Sequence, residues 1–120
     1  MADHVHGHGK EVLNELAPIG RELRALIPAV YDGFGELHNA AFNDGAVDRK
    51  TKELIALAIS IAVRCDGCIA SHARSAAQKG ATEAEVAEAI GVAIAMSGGP
   101  GTVYGPRALA AYRDYAKPSA

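Results

Sequence analysis

Residues 48–63 read Asp-Arg-Lys-Thr-Lys-Glu-Leu-Ile-Ala-Leu-Ala-Ile-Ser-Ile-Ala-Val. Asp48 is the residue type that caps a helix N-terminus with its side-chain oxygen. From Leu54 to Val63 only Ser60 interrupts the apolar run. Leu54, Ile55, Leu57, Ile59, Ile61 and Val63 cover most of a helical circumference, so this segment predicts the central, buried helix of the fold. It is far shorter than the roughly 20 apolar residues that span a bilayer.

Upstream, Pro28 suits the first turn of a helix, where its missing N–H costs nothing. Val30, Phe34, Leu37, Ala41 and Phe42 then form a stripe that ends at Asn43-Asp44-Gly45. From Lys10 to Leu26, Val12, Leu13, Leu16, Ile19 and Leu23 keep helical spacing, with Pro18 and Gly20 expected to break the segment in two. Downstream, Ile69, Ala73, Ala76 and Ala77 predict a helix that stops at Gly80. Thr82 with Glu85 is a capping box that opens a helix carrying Val86, Ala89, Ile90, Ala93 and Ile94. Gly98-Gly99-Pro100-Gly101 is expected to break the chain before a last helix with Tyr104, Leu109, Tyr112 and Tyr115. No β-type alternation occurs, so the expected fold is all-α, with no sheet of three or more strands. The expected organisation is a single helical domain over 10–120, preceded by a flexible His-rich arm over 1–9.

Composition agrees with this. The 120 residues include 25 Ala and no Trp, with 5% aromatics, which favours helix over sheet. The net charge is −2, from 12 basic and 14 acidic side chains, and no long basic run exists. A nucleic-acid or membrane partner is therefore not expected. A core this rich in Ala is thin, so a homo-oligomer is expected. The N-terminus has no basic patch followed by an apolar stretch, which points to the cytoplasm. The Gly-rich turn at 98–101 lacks the Gly-Lys-Ser/Thr ending of a phosphate loop.

The chemistry concentrates where the central helix ends. Cys65, Cys68 and His72 stand at i, i+3 and i+7, on one face of a helix that extends through them. A Cys-x-x-Cys pair at a helix N-terminus gains thiolate stabilisation from unpaired N–H groups and the dipole, and an imidazole nearby takes the thiol proton. One oxidised sulfur is then within reach of the other, so the pair cycles between dithiol and disulfide. Glu53 lies on the preceding helix. If the two helices pack antiparallel, Glu53 is about 18 Å and His72 about 10 Å from the intervening turn, at roughly 1.5 Å rise per residue. Directly or through a water, the carboxylate then orients the imidazole and accepts its proton. The competing reading of Glu53 is an exposed first-turn acid that complements the helix dipole.

Glu53-x11-Cys65-Asp66-Gly67-Cys68-x3-His72 resembles the active-site pattern of the alkylhydroperoxidase D branch of the carboxymuconolactone decarboxylase family. The likeness extends upstream to Asp48 and downstream through Gly80-Ala-Thr-x-x-Glu-Val-Ala-Glu-Ala-Ile to Gly98-Gly99-Pro100, covering roughly residues 34 to 112. It implies an all-α, alkylhydroperoxidase D-like fold, trimeric or hexameric assembly, and antioxidant thiol peroxidase or disulfide reductase chemistry with no cofactor. It also implies an external dithiol or protein reductant and a small hydroperoxide or disulfide substrate. By the same likeness Cys68 is the peroxide-attacking thiol, Cys65 the resolving partner, and Glu53 with His72 the proton relay. Gly67 stands where the best-known members carry a His, so the relay has one member fewer.

Other readings of these residues exist. A carboxymuconolactone decarboxylase-type enzyme acting on a small lactone or carboxylic acid would survive alkylation of both thiols. A zinc site could draw on Cys65, Cys68 and His72, with His38 as the remaining non-arm histidine. His38 is otherwise a core or subunit-interface residue, and Tyr104 and Arg107 are surface packing or line the pocket across an interface. Ala2-Asp3-His4, with Met1 removed, suits square-planar Cu(II) or Ni(II).

Overall fold

A computed structural model gives the structure of the protein, and it describes residues 6–116. Among the described residues six helices follow one another: α1 (Lys10–Leu26), α2 (Pro28–Phe42), α3 (Arg49–Ala62), α4 (Asp66–Gln78), α5 (Glu83–Ser97) and α6 (Gly99–Ala116). Among the described residues no strand occurs, as an all-α fold requires.

Helices α3 to α6 form the packed body, with α4 and α5 both laid against α6 and α3 set between α4 and α5. Leu57, Ile61, Ile69 and Val86 are fully buried at its centre, each side chain contributing about 1.5–3 kcal/mol by leaving water. Around them the core is Ala70, Ala73, Ala76, Ala93, Ala108 and Ala111, so helix backbones approach closely. A Cβ added at Gly101 would stand 2.8 Å from the Ile94 Cα and 2.6 Å from the Ser97 Oγ. The α5–α6 crossing therefore tolerates no side chain there. Tyr112 is buried and its hydroxyl donates to the Ala81 carbonyl at 2.6 Å, which satisfies a backbone acceptor in the turn between α4 and α5.

The capping residues act as their types dictate. The Asp48 carboxylate accepts from the Thr51 N–H at 2.8 Å. Thr82 and Glu85 exchange both bonds of a capping box. Lys50 reaches Glu85 at 2.9 Å and ties α3 to the start of α5.

Two sequence expectations change, and a third feature is placed by the structure where spacing alone does not place it. Pro18 does not break α1, which runs unbroken to Leu26. Proline's fixed φ is already helical, and the one bond it forfeits is at the carbonyl of Asn14, which is exposed. Only Gly98 (φ +69°) separates α5 from α6. Gly99, Pro100 and Gly101 already belong to the first turn of α6, where a proline needs no N–H partner. Finally, the apolar stripe of α2 is not buried in this chain: Phe34 is 64% and Leu37 65% exposed. α1 lies lightly on α4, and α2 packs mainly on α1 and α3, reaching α4 through its Phe42 ring. The α1–α2 arm projects, which is why the radius of gyration is 15.0 Å against about 13.5 Å for a compact domain of this length.

Ahead of α1, Gly7 donates its N–H to Glu11 at 2.7 Å, and Gly9 is buried against Asp114. Burial, with the Arg107 charge adding to it, holds the His8 imidazole below its usual pKa. The Ala2-Asp3-His4 copper or nickel reading falls outside the described residues.

Candidate redox site

The site is built on the turn between α3 and α4. The last turn of α3 closes as a Schellman motif: the Cys65 N–H donates to the Ser60 carbonyl at 3.1 Å and the Arg64 N–H to the Ile61 carbonyl at 3.1 Å. Arg64 occupies the left-handed position, φ +59°, where glycine is the usual choice. A side chain there costs roughly 1–2 kcal/mol, partly offset by the greater freedom glycine has in the unfolded chain. Arg64 is exposed. Arg64→Gly is therefore expected to raise stability by about 0.5–1 kcal/mol, a rise of about 2–4 °C in a thermal melt. An unchanged or lower midpoint would contradict it.

This turn delivers Cys65 as the N-cap of α4, with its Sγ accepting from the Cys68 N–H at 3.2 Å. Cys65 and Cys68 are joined by a disulfide, with their Cα atoms 5.2 Å apart. Cys65 is half-buried and Cys68 is exposed. One turn beyond Cys68 on the same face stands His72, whose side chain is mostly buried.

Glu53 is wholly buried in the first turns of α3, so it is not a solvated acid facing the helix dipole. Its Oε1 lies 2.8 Å from His72 Nδ1, and its Oε2 accepts from Arg49 Nε at 2.7 Å. The contact with the imidazole is direct. With Nδ1–H donated to the carboxylate, the lone pair of the neutral ring sits on Nε2. A buried carboxylate is tolerated because both oxygens are engaged by partners of opposite or donating character.

An aromatic wall closes the other side of the imidazole. The Phe42 ring, at the end of α2, lies 5.4 Å from the His72 ring and within 9° of parallel. His38 stacks on Phe42 at 4.3 Å and is 6.4 Å from His72. The Arg49 guanidinium lies 5.4 Å from the Phe42 ring. His38 thus joins the site's wall. Tyr104 and Arg107 pair with each other on α6, 4.7 Å from ring to guanidinium.

Gly67, between the cysteines, is roofed by α1: a Cβ there would lie 3.2 Å from the Leu16 Cδ1. A side chain at this position therefore meets the end of Leu16, which must give by a few tenths of an ångström to admit it. Among the described residues no group of three or more His, Cys, Asp or Glu is arranged to hold a metal ion.

Arg49 and Phe42 are the site residues that motif reasoning passed over. The i, i+4 spacing of Arg49 and Glu53 was the available signal. Phe42 read as one more apolar position in the α2 stripe.

This fold and this site define a class. The model of the carboxymuconolactone decarboxylase family matches residues 28–113, and the chain belongs to that family. It is 36% identical over 103 residues to an uncharacterized protein of Cupriavidus necator, covering 83% of this chain and 91% of that one. Over 94 residues it is 39% identical to an uncharacterized protein encoded in the cox locus of Paracoccus denitrificans, covering 78% and 84%. The crystal structure of an apo carboxymuconolactone decarboxylase family protein from Legionella pneumophila superposes with a TM-score of 0.81 at 39% identity, over 92% of this chain and 95% of that one. A Thermotoga maritima structure gives 0.69 at 32% identity, over 78% and 88%.

Proposed function

We propose that the protein is a thiol-dependent peroxidase or disulfide reductase with Cys65, Cys68, His72 and Glu53 as its working residues. The observation that carries this reading is the Cys65–Cys68 disulfide at the N-terminus of α4, on the same helix face as an imidazole bonded to a buried carboxylate. In the reduced enzyme His72 Nε2 takes the Cys68 proton. The thiolate attacks the outer peroxide oxygen of ROOH, the O–O bond breaks, and the leaving alkoxide takes a proton to become ROH. Cys68 is now a sulfenic acid. The Cys65 thiolate attacks its sulfur, hydroxide leaves and is protonated to water, and the disulfide forms.

An external dithiol restores the pair: its thiolate attacks the exposed Cys68 sulfur, and Cys65 leaves as a thiolate toward the Cys68 N–H. The dithiol's second thiolate attacks its own sulfur in this mixed disulfide, Cys68 leaves as a thiolate and the reductant departs as a disulfide, so two electrons pass from reductant to hydroperoxide. Such a cycle suits a reducing compartment, the cytoplasm. No helix among the described residues is long and apolar enough to cross a membrane.

The working unit in this proposal is a homo-oligomer, a trimer or hexamer. Two separate apolar faces support it. One is the groove of Leu23, Ile27, Val30, Tyr31 and Phe34 on the α1–α2 arm. The other lies on α3 and α5, with Ile55, Ile59, Val92 and Met96, the last 82% exposed. Exposed apolar faces of this kind support association with further copies of the chain. Sedimentation is expected to give a multiple of the 12.4 kDa chain mass; a 12.4 kDa species at micromolar concentration would contradict it.

The test of function is steady-state hydroperoxide consumption with dihydrolipoamide, thioredoxin or glutathione as reductant and hydrogen peroxide or an organic hydroperoxide as acceptor. Reductant-dependent consumption that disappears when both thiols are alkylated is expected. Absence of consumption with every pairing, or turnover of a small lactone that survives alkylation, would overturn the proposal.

A further inference from the structure

An arginine four residues before a glutamate on a helix is ordinarily a solvated surface pair. Here the acid is wholly buried, and the arginine side chain is only 27% exposed. The bond is made by Nε rather than by a terminal nitrogen, so the direction of the guanidinium plane is fixed by the arginine's own stem. Oε2 is occupied by that bond, which leaves Oε1 as the single acceptor facing His72. The same guanidinium lies over the Phe42 ring, and that ring is parallel to the imidazole. Arg49 therefore reaches His72 by two routes, through the carboxylate at the ring's edge and through Phe42 at its face.

We infer that Arg49 is a positioning residue of this site, which fixes the rotation of the Glu53 carboxylate and with it the tautomer and orientation of His72. Without the Nε–H, the carboxylate is free to turn about its last side-chain bond; its two oxygens are equivalent acceptors, so what His72 loses is the fixed direction and short distance of the bond to Nδ1. The proton then divides between Nδ1 and Nε2, and the fraction of the ring able to accept a proton at Nε2 falls. Phe42 also loses its cation, and with it one of the forces that hold the end of α2 against α3.

The inference rests on the proposed thiol chemistry only for its rate readout; the tautomer readout stands without it. Both are read on the full chain with its thiols reduced. In ¹⁵N-histidine-labelled protein, the neutral His72 ring is expected as one tautomer with its proton on Nδ1. In Arg49→Met, which keeps a stem of similar length against Phe42 but has no donor, a mixture of the two tautomers is expected. Oxidation of the thiols by hydrogen peroxide should slow by about 10-fold to 100-fold, the range for loss of a group that orients a histidine. Arg49→Lys restores charge without a directed N–H and should fall between, within about 3-fold of the native rate. Native tautomer and native rate in folded Arg49→Met would overturn the inference. If circular dichroism shows that Arg49→Met has lost its helices, Arg49→Lys decides: indistinguishable from native in both readouts, it overturns the directed role of Nε–H. A native protein that does not react with peroxide would sink the proposed function, and the tautomer comparison would still decide the role of Arg49.

Discussion

Cys68→Ser is expected to abolish hydroperoxide turnover, whereas Cys65→Ser completes a single oxidation and stops. The two sulfurs sit in different surroundings. Cys68 is exposed, and Cys65 is half-buried, acting as the N-cap of α4 with its sulfur toward the Cys68 N–H. A hydroperoxide or an incoming thiolate therefore meets Cys68 first, and Cys65 is placed to leave, or to attack, as an N–H-stabilised thiolate. Serine at 68 removes the sulfur that is oxidised, leaving no centre for the first step. Serine at 65 leaves that step intact but cannot close the disulfide, so a sulfenic acid accumulates on Cys68 or is captured as a mixed disulfide with the reductant. Mass spectrometry after one equivalent of peroxide should show one added oxygen in Cys65→Ser and none in Cys68→Ser. The reverse pattern would exchange the two roles, and native turnover in both variants would remove the pair from the chemistry altogether.

Much of this site is legible in sequence because its parts are local. Asp48, Thr82 and Glu85 cap helices through bonds to residues three positions away, so their types and spacing suffice. Cys65, Cys68 and His72 share one helix face by periodicity alone. Glu53 is harder: periodicity places it near a helix start, where acids are ordinarily exposed, and only the packing of α3 on α4 buries it beside His72. The α2 stripe shows the opposite difficulty. Apolar spacing identifies a face, but it does not say whether the same chain covers it, and here Phe34 and Leu37 remain open while Phe42, on the same helix, closes the site. Pro18, Pro100 and Gly101 misled for one reason, which is that a breaker residue is tolerated in a helix wherever its missing N–H or side chain is not needed. That depends on neighbours such as Ile94, which crowds the place a Gly101 side chain would take.

Glu53→Gln is expected to slow thiol oxidation at neutral pH by about 100-fold while fold and assembly persist, the scale on which loss of general-base assistance acts. The substitution keeps the shape and replaces one acceptor oxygen by an NH₂ donor, and neither way of placing the amide satisfies both neighbours. With its oxygen toward His72 Nδ1, the amide turns N–H toward Arg49 Nε–H, donor against donor, across a gap now 2.7 Å. With its oxygen toward Arg49, it donates to Nδ1, the ring must carry its proton on Nε2, and the nitrogen that would accept the Cys68 proton is already protonated. Either arrangement removes the base or loosens the ring that bears it. The dependence on pH distinguishes this from general damage. A thiol with an ordinary pKa of about 8.5 ionises unaided in alkaline buffer, so the rate of Glu53→Gln should climb toward the native rate between about pH 7 and pH 9.5, while the native enzyme changes far less. Stopped-flow oxidation of the reduced protein across that range would show it. A neutral-pH rate equal to native would separate the Glu53–His72 pair from the thiol chemistry. A deficit that stays constant with pH would mean that Glu53 acts on something other than proton removal from Cys68.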